Sequence, residues 1–307
     1  MPTRQLSISM VAADYGPVSA GQIADFASRV ESAGYHRLYL TDHIFHATPT
    51  FDSSSAFAVV AAATSTIALG FAAYIVPFRH PIVAAKELAV LDGLCGGRLT
   101  AGLAAGSSKA EFDALGIAFN TRGKAFDEGV EAIKHLWTHD DVSFHGEFYQ
   151  FDNVTVTPKP VQTPHPPIWI GSWTGSRPAA RRIVKHAAGW QASALHGSLD
   201  QAVLGWRNVE EMCAEMGRDP ATITRSLVNQ VVRVGASRTQ AIADIPPSHR
   251  MHEELIIAGP PNELIDRLLA IYETGIEEVS LFMPLDAVEQ VDLIAERVLP
   301  ELGKSSA

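Results

Sequence analysis

Short apolar runs and longer amphipathic segments alternate along this chain almost from end to end. The apolar runs are continuous in Val, Ile, Leu and Ala, which is typical of strands buried on both faces of a parallel sheet. The amphipathic segments repeat their apolar positions with helical spacing. In segment 19–34, Ser19 is suited to cap the start of a helix and Gly34 to end it. We predict strands at 6–12, 37–40, 67–76, 98–106, 167–172, 189–194, 224–235 and 277–284.

Each predicted strand is followed by a predicted helix, and this order favours parallel pairing through right-handed crossovers. One (β/α)8 TIM barrel, covering residues 1–307 as a single domain, accounts for the whole length. A doubly wound α/β sheet of two halves is the alternative, but no repeat or boundary favours it. We predict helices at 19–34, 56–64, 81–97, 121–137, 177–188, 199–217, 261–275 and 286–299.

A polar excursion at about 138–166 interrupts this rhythm between the fourth helix and the fifth strand. It alternates aromatic with polar residues and then becomes rich in proline. Such a pattern indicates a hairpin followed by an extended crossing segment. We therefore expect an insertion in the barrel here and no domain linker.

The composition narrows the class of partner. The chain of 307 residues is 47% hydrophobic and has a formal net charge of −10, which argues against a nucleic-acid backbone or an anionic membrane as the main partner. Its two distant cysteines form no disulfide framework and no zinc-binding pattern. No apolar run is long enough for a membrane span, and the N-terminus lacks the pattern of a signal peptide. We expect a cytoplasmic protein.

The active site of such a barrel lies at the carboxyl ends of its strands. The second strand ends in Asp42 and His43, so an acid and an imidazole are expected side by side at the barrel mouth. The alternative for His43 is a hydrogen-bonded loop histidine without a catalytic role. No metal-ligand spacing recurs at the other strand ends. The sequence also has neither a Gly-x-Ser-x-Gly elbow nor a Gly-x-Gly-x-x-Gly nicotinamide fingerprint.

The turn after the fifth strand, GSWTGS, has the composition of an anion seat. Gly171 and Gly175 allow the backbone to approach a ligand, while Ser172 and Ser176 place hydroxyls just before the next helix. Free amide groups and the helix dipole converge there, so phosphate is the natural ligand. The alternative is that Ser176 only caps the helix. Arg122, at the start of the fourth helix, is either the counter-charge or an exposed arginine paired with carboxylates of its own helix.

Four stretches carry a resemblance to a known family. They lie in the right order over most of the first two-thirds of the chain, and the string LD-x-L-x-GGR-x-x-x-G-x-x-x-G is specific. The chain resembles the bacterial luciferase-like superfamily of flavin-dependent oxidoreductases and monooxygenases. The stretches are AGYHRLYLTDHI (33–44), STIALGFAAYIVPFRHPIVAAKELAVLDGLCGGRLTAGLAAG (65–106), ALGIAFNTRGKAFDEGVEAIKHLW (114–137) and TPKPVQTPHPPIWIGSWTGSRPAARRIVKHAAGW (157–190).

The resemblance implies that reduced FMN, or a deazaflavin of the factor-420 type, binds across the strand ends. The family's phosphate seat falls on Ser172, Gly175 and Ser176, and its phosphate-binding arginine falls on Arg122. Gly171 is followed by a serine where many members carry a second glycine.

The resemblance also implies contacts to the flavin ring. The position that often holds a non-proline cis peptide against the ring falls on Ala72 and Ala73, and the histidine often found near the ring falls on His43. Ala105 stands where the luciferase branch uses another arginine for the flavin phosphate. A luciferase-like aldehyde reaction is therefore disfavoured.

The implied activity is that of a monooxygenase that uses reduced FMN and dioxygen on a small organic substrate. His43 and Asp42 are the catalytic candidates, and Phe45, Tyr74 and Trp173 are candidate walls for the substrate. Because no nicotinamide fingerprint is visible, the reduced flavin is expected to come from a separate flavin reductase.

Two other functions stay open. A deazaflavin-dependent oxidoreductase would transfer hydride on the same barrel without dioxygen, and a non-catalytic protein would only bind the flavin. Members of the superfamily are often dimers, so the resemblance also implies a homodimer.

Overall fold

The computed structural model describes residues 4–12, 18–46, 50–250 and 252–303. Within these ranges eight parallel strands pair in chain order, and the last pairs with the first, so that Gln5 lies beside Glu278. The predicted (β/α)8 barrel is confirmed, and this closure excludes the doubly wound alternative. The strands are β1 (Gln5–Val11), β2 (Arg37–Leu40), β3 (Ala68–Phe71), β4 (Leu99–Ala104), β5 (Ile168–Gly171), β6 (Gly189–Ser193), β7 (Thr224–Val234) and β8 (Glu278–Pro284).

Each barrel strand is followed by a helix that packs on the outside of the sheet. Most helices begin within two residues of the predicted position, but the second begins at Ser53, because Asp52 caps it and accepts a hydrogen bond from the amide of Ser55. No helix in the described ranges is long and apolar enough to cross a membrane. The helices are α1 (Ala20–Ser32), α2 (Ser53–Ala63), α3 (Pro81–Leu94), α4 (Arg122–Thr138), α5 (Arg177–His186), α6 (Leu199–Met216), α7 (Pro261–Glu273) and α8 (Val288–Arg297).

Several short elements were not predicted as separate elements. Each has six residues or fewer, which is too short for a hydrophobic period to show in the sequence. The predicted third strand is in fact two segments, since β3 stops at Phe71 and pairing with β4 resumes at Tyr74. The additional elements are the strands Tyr74–Ile75 and Ile257–Gly259 and the helices Lys109–Ala114, Arg238–Ala243 and Leu299–Leu302.

The polar excursion contains the predicted hairpin. Its strands Val142–His145 and Gln150–Val154 pair antiparallel. The extended segment that follows crosses the outside of the barrel and is held by Asp92, a fully buried carboxylate that accepts hydrogen bonds from the amides of Val161 (2.8 Å) and Gln162 (3.0 Å).

Polar side chains fill the amino-terminal end of the barrel. Glu278 is fully buried and accepts hydrogen bonds from the Ser7 hydroxyl (2.6 Å) and from Nε of Arg37 (3.2 Å). One layer further along, the hydroxyls of Ser9 and Ser280 lie 2.5 Å apart. This network occupies one end of the barrel, so the space for a ligand lies at the other end.

Candidate active site

A cavity of about 850 Å³ opens at the carboxyl ends of the strands, and residues at or after all eight strands line it. This volume lies within the range of about 300–1,000 Å³ that is typical of small-molecule sites. Three expected residues, Phe45, Tyr74 and Gly175, are absent from its lining. The expected residues that do line it are Asp42, His43, Ala72, Ala73, Ala105, Arg122, Gly171, Ser172, Trp173 and Ser176.

The turn between β5 and α5, where the anion seat is expected, lines this cavity with Gly171, Ser172 and Ser176. Ser176 is the N-cap residue of α5, but its hydroxyl accepts no capping hydrogen bond. The amide of Ser172 donates to the Gln191 carbonyl (3.1 Å), and Nε1 of Trp190 donates to the Ser172 carbonyl (2.9 Å), so the turn is fixed on β6. The serine hydroxyls and the positive end of the α5 dipole are therefore available for an anion.

Gly175 serves the packing of this turn and does not line the cavity. Its backbone has φ +56°, and a Cβ atom there would lie 2.9 Å from the Trp190 ring and 3.0 Å from the backbone of Gly205. At Gly205, in α6, a Cβ atom would lie only 2.2 Å from the Thr174 carbonyl oxygen. Both glycines therefore bring the turn against α6.

Arg122 lines the same cavity as Ser172 and Ser176. Its Nε donates to the Gly106 carbonyl (3.0 Å), its Nη1 donates to the Phe119 carbonyl (2.9 Å), and its guanidinium lies over the Phe119 ring. The carboxylates of its own helix are engaged elsewhere: Asp127 pairs with an arginine of α5, and Glu128 accepts amides of the hairpin. Among the ion pairs of the described residues none includes Arg122, so its charge faces the cavity without a carboxylate partner.

A second arginine, Arg182, lines the cavity from α5 and was missed by the sequence reasoning. Its Nε donates to Oδ1 of Asp127 at 2.7 Å. The guanidinium lies against Gly123, where a Cβ atom would be 2.5 Å from Nη2. The glycine directly after Arg122 was the only sequence signal that another group approaches this helix start.

His43 is held by a buried carboxylate that was also not predicted. Oε2 of Glu111 lies 3.0 Å from Nδ1 of His43, and Oε1 accepts the amide of Ile44 at 2.7 Å. Glu111 is 1% exposed. We assign the proton to Nδ1 because a carboxylate can only accept there, so Nε2 is left as the basic nitrogen of the imidazole.

The short helix Lys109–Ala114 positions Glu111. Ser108 caps this helix, and its hydroxyl accepts the amide of Glu111 at 3.4 Å. A segment of six residues with three charges resembles a solvated loop in the sequence, so nothing indicated that one of its carboxylates is buried. Its histidine partner lies 68 positions earlier in the chain.

Asp42 lines the cavity as expected, but its carboxylate is held by hydrogen bonds from neighbouring residues. Its side chain is 3% exposed, and its two oxygens accept hydrogen bonds from three neighbours. The Ser53 hydroxyl donates at 2.8 Å, the Ile75 amide donates at 2.8 Å, and Nη1 of Arg79 donates at 2.7 Å. These contacts tie the end of β2 to α2 and to the segment after β3.

Two of the expected substrate walls are also corrected. Tyr74 is fully buried outside the cavity, where its hydroxyl donates to Glu87 at 2.6 Å and its ring lies under the Arg79 guanidinium. Phe45 is 46% exposed and does not line the cavity. Trp173 does line it, and its ring stacks on His196 with centroids 4.2 Å apart and planes at 2°.

His196, after β6, is a further residue that the sequence reasoning missed. Its Nδ1 lies 3.2 Å from the Ser193 hydroxyl. Burial, followed by the charges of His252, His43 and His46, lowers the pKa of His196 to about 4. At neutral pH this imidazole is therefore uncharged and faces the cavity beside Trp173.

Small residues form the floor of the cavity between β3 and β5. The peptide bond between Ala72 and Ala73 is cis, as the resemblance predicted. Gly171 lies opposite, and a Cβ atom there would be 3.0 Å from that of Ala73 and 3.3 Å from that of Ala104. Ala105 continues this surface with a methyl group. The floor therefore offers a flat, apolar surface to a ring.

The fold and this site define a known class of proteins. A family model described as luciferase-like monooxygenase matches residues 6–250. The chain belongs to the luciferase-like monooxygenase family.

Individual relatives match over shorter spans. The chain is 41% identical over 113 residues to an FMNH(2)-dependent dimethylsulfone monooxygenase of Pseudomonas putida, covering 36% of this chain and 30% of that one. It is 32% identical over 156 residues to the oxygenase component of a flavin-dependent trigonelline monooxygenase of Acinetobacter baylyi, covering 49% and 42%. These alignments span less than half of either relative. The crystal structure of monooxygenase RslO1 from Streptomyces bottropensis shares the fold, with a TM-score of 0.82, 24% identity and coverage of 96% and 99%.

Proposed function

We propose that the protein is a monooxygenase that uses reduced FMN and dioxygen to oxidise a small organic molecule. The observation that carries this proposal is one continuous cavity with an anion seat at one end and the Glu111-oriented His43 on its wall. Membership of the luciferase-like monooxygenase family and the two flavin-dependent relatives support it.

The residues of the seat fit the phosphate of FMN. Ser172 and Ser176 supply hydroxyls at the start of α5, while Arg122 and Arg182 supply two guanidinium groups. Charge-assisted hydrogen bonds from arginine suit a phosphate dianion. The apolar floor around Ala73 would support the flavin ring, and the bound reduced flavin supplies the electrons that activate dioxygen.

The protein's own residues then have separate roles. His43 is placed to accept or return a proton at Nε2, while Glu111 keeps the other ring nitrogen protonated. The stacked rings of Trp173 and His196 limit the access of water from the side of the seat. Because the sequence has no nicotinamide fingerprint, we propose that a separate flavin reductase supplies the reduced FMN. We also propose a homodimer, which light scattering would test.

The phosphate assignment is tested by FMN titration, followed by quenching of flavin fluorescence. Arg122→Ala and Arg182→Ala each remove hydrogen bonds to a charged group, worth about 1.5–3 kcal/mol, so each should weaken FMN binding by about 10- to 150-fold. Arg181→Ala is the matched control, since Arg181 is exposed on the same helix and does not line the cavity. Unchanged affinity in both variants would remove the phosphate seat from the proposal.

The cofactor and the reaction are tested together with reduced flavins. We expect the protein to bind reduced FMN in preference to a deazaflavin of the factor-420 type, and to consume dioxygen with it. Preferential binding of the deazaflavin without oxygen uptake would replace the proposal with hydride transfer. Tight retention of oxidised FMN without turnover would indicate a flavin-binding protein that is not an enzyme.

A further inference from the structure

Strand β7 has a bulge where it reaches the cavity. Its pairing with β8 shifts between Leu227 and Gln230, so that two residues stand opposite Ser280 alone. One of the two, Asn229, has φ +62°, in the left-handed region, and its amide lies 3.3 Å from the Ser280 hydroxyl. Bulges beside active sites redirect a side chain, and such backbone conformations cluster at functional sites.

The bulge directs the Asn229 carboxamide to the cavity, which this residue lines. Its Oδ1 is buried, and no hydrogen-bond partner for it exists in the described part of the chain. Buried polar groups are nearly always hydrogen-bonded, because an unpaired one loses its water without compensation. A carboxamide with an acceptor and two donors facing a ligand cavity is therefore most simply completed by the ligand.

Asn229 belongs to a wall of the cavity that we call the β6–β8 wall, made of Ser193, His196, Asn229 and Phe282. Each of these side chains is uncharged, because burial keeps the pKa of His196 near 4. The wall thus offers a hydroxyl, an imidazole and a carboxamide beside an aromatic ring.

The cavity holds its positive charge elsewhere. Among the described residues that line it, only Arg122 and Arg182 are lysines or arginines, and both stand at the phosphate seat. The carboxylate of Asp42 is neutralised by Arg79. When a flavin phosphate fills the seat, neither arginine is left for a second ligand, so an anionic substrate would lose its hydration without a permanent counter-charge from the described lining residues.

We infer that the β6–β8 wall binds an uncharged polar substrate, whose polar group is hydrogen-bonded by the Asn229 carboxamide and the His196 imidazole. This inference rests on the proposed function, because it assumes that FMN fills the seat. Sulfones, sulfoxides and amides belong to the class that fits. Sulfonates and carboxylates of the same shape do not.

Matched pairs of neutral and anionic probes test the inference by calorimetry on the FMN-loaded protein. Dimethyl sulfone is compared with methanesulfonate, and acetamide with acetate, since each pair differs mainly in charge. At least one neutral probe should bind tenfold more tightly than its anionic counterpart. Any other result, including equal affinities or no binding of either neutral probe, overturns the inference.

Substitution of Asn229 tests the role of its side chain. Asn229→Gly removes the carboxamide and keeps the left-handed backbone, which glycine adopts readily. The neutral probe should bind at least tenfold more weakly to this variant, while FMN affinity stays within twofold. The matched control is Asn153→Gly, because Asn153 has φ +52° and lies exposed on the hairpin. Unchanged probe affinity in Asn229→Gly overturns the assignment.

His196→Phe independently tests the hydrogen bond of the His196 imidazole to the substrate. The phenyl ring can still stack on Trp173 but offers no hydrogen bond, so the neutral probe should again bind at least tenfold more weakly. Failure of FMN to bind the unmodified protein would remove the proposed function itself. Normal FMN binding with a preference for the anionic probes would remove only the inference about the substrate.

Discussion

The pairing of Glu111 with His43 gives the sharpest test of the site. Glu111→Gln keeps the size of the side chain, and its carbonyl oxygen can still accept the amide of Ile44. Its amide nitrogen then faces Nδ1 of His43, which carries a proton in the assigned tautomer. Two donors cannot face each other, so the imidazole must move its proton to Nε2 and lose the basic nitrogen that faces the cavity.

The expected magnitude follows from the interaction that is lost. A hydrogen bond to a charged group contributes about 1.5–3 kcal/mol, and each 1.36 kcal/mol is a factor of ten in rate, so the affected step should slow by about 10- to 150-fold. A similar loss, about 100-fold or more, is expected where a general base is removed. Flavin affinity should not change, because Glu111 is not at the phosphate seat.

The assay is stopped-flow reoxidation of protein-bound reduced FMN by dioxygen, a reaction in which the flavin ring gives up a proton. The matched control is Asp113→Asn on the same short helix, where Asp113 is exposed and pairs with Lys109. An exposed pair contributes about 0–1 kcal/mol to stability, so this variant should reoxidise normally.

A Glu111→Gln variant that reoxidises FMN within twofold of the unsubstituted rate, with normal flavin affinity and melting temperature, would refute the role of this pair. His43 would then be a hydrogen-bonded loop histidine, which is the alternative that the sequence left open.

Three further predictions concern stability. Gly205→Ala should weaken FMN binding and lower the melting temperature, because its Cβ would lie 2.2 Å from the Thr174 carbonyl in the turn before α5. Elsewhere in a helix this substitution usually stabilises a protein by about 1 kcal/mol; Leu204→Ala, at an exposed position, is the control. Asp42→Asn should cost about 3 kcal/mol in chemical denaturation, because it removes the buried carboxylate 2.7 Å from Arg79 and leaves this arginine only Glu87, at 3.6 Å, as an ion-pair partner among the described residues. Burial, followed by the charges of Lys185 and Lys134, lowers the pKa of His186 from 6.5 to about 4, so the unfolded chain binds a proton first and stability decreases as the pH is lowered below about 6.5. Between pH 7 and pH 5, His186→Phe should therefore lose about 2 kcal/mol less unfolding free energy than the unsubstituted protein.

The fold was predictable from the sequence because its signals are local. Continuous apolar runs mark strands buried on two faces, and their alternation with helices allows few topologies. The signal for the expected anion seat was also local, since Gly171, Ser172 and Ser176 lie close together in the sequence just before a helix. The boundaries that were wrong, such as the start of α2, depended on a cap (Asp52) outside the hydrophobic pattern.

The other site residues could not be predicted, because their contacts join elements that are far apart in the sequence. Glu111 meets His43 only because the short helix after β4 folds over the end of β2. Asp42 looked catalytic because it adjoins a histidine, yet its partner Arg79 lies 37 positions away. Asn229 stood in an ordinary strand pattern, and only the register shift against β8 turns its side chain to the cavity.

The two buried carboxylates have a consequence for how this barrel can diversify. Asp42 and Glu111 cross-link the loops after β2, β3 and β4, so a change in any one of them disturbs the others. The side chains of Ser193 and Asn229, on β6 and β7, make no such hydrogen bond to the loop after another strand among the described residues. Substitution libraries confined to residues 193–196 and 228–230 can therefore change which substrates bind, while the loops connected by Asp42 and Glu111 stay unchanged.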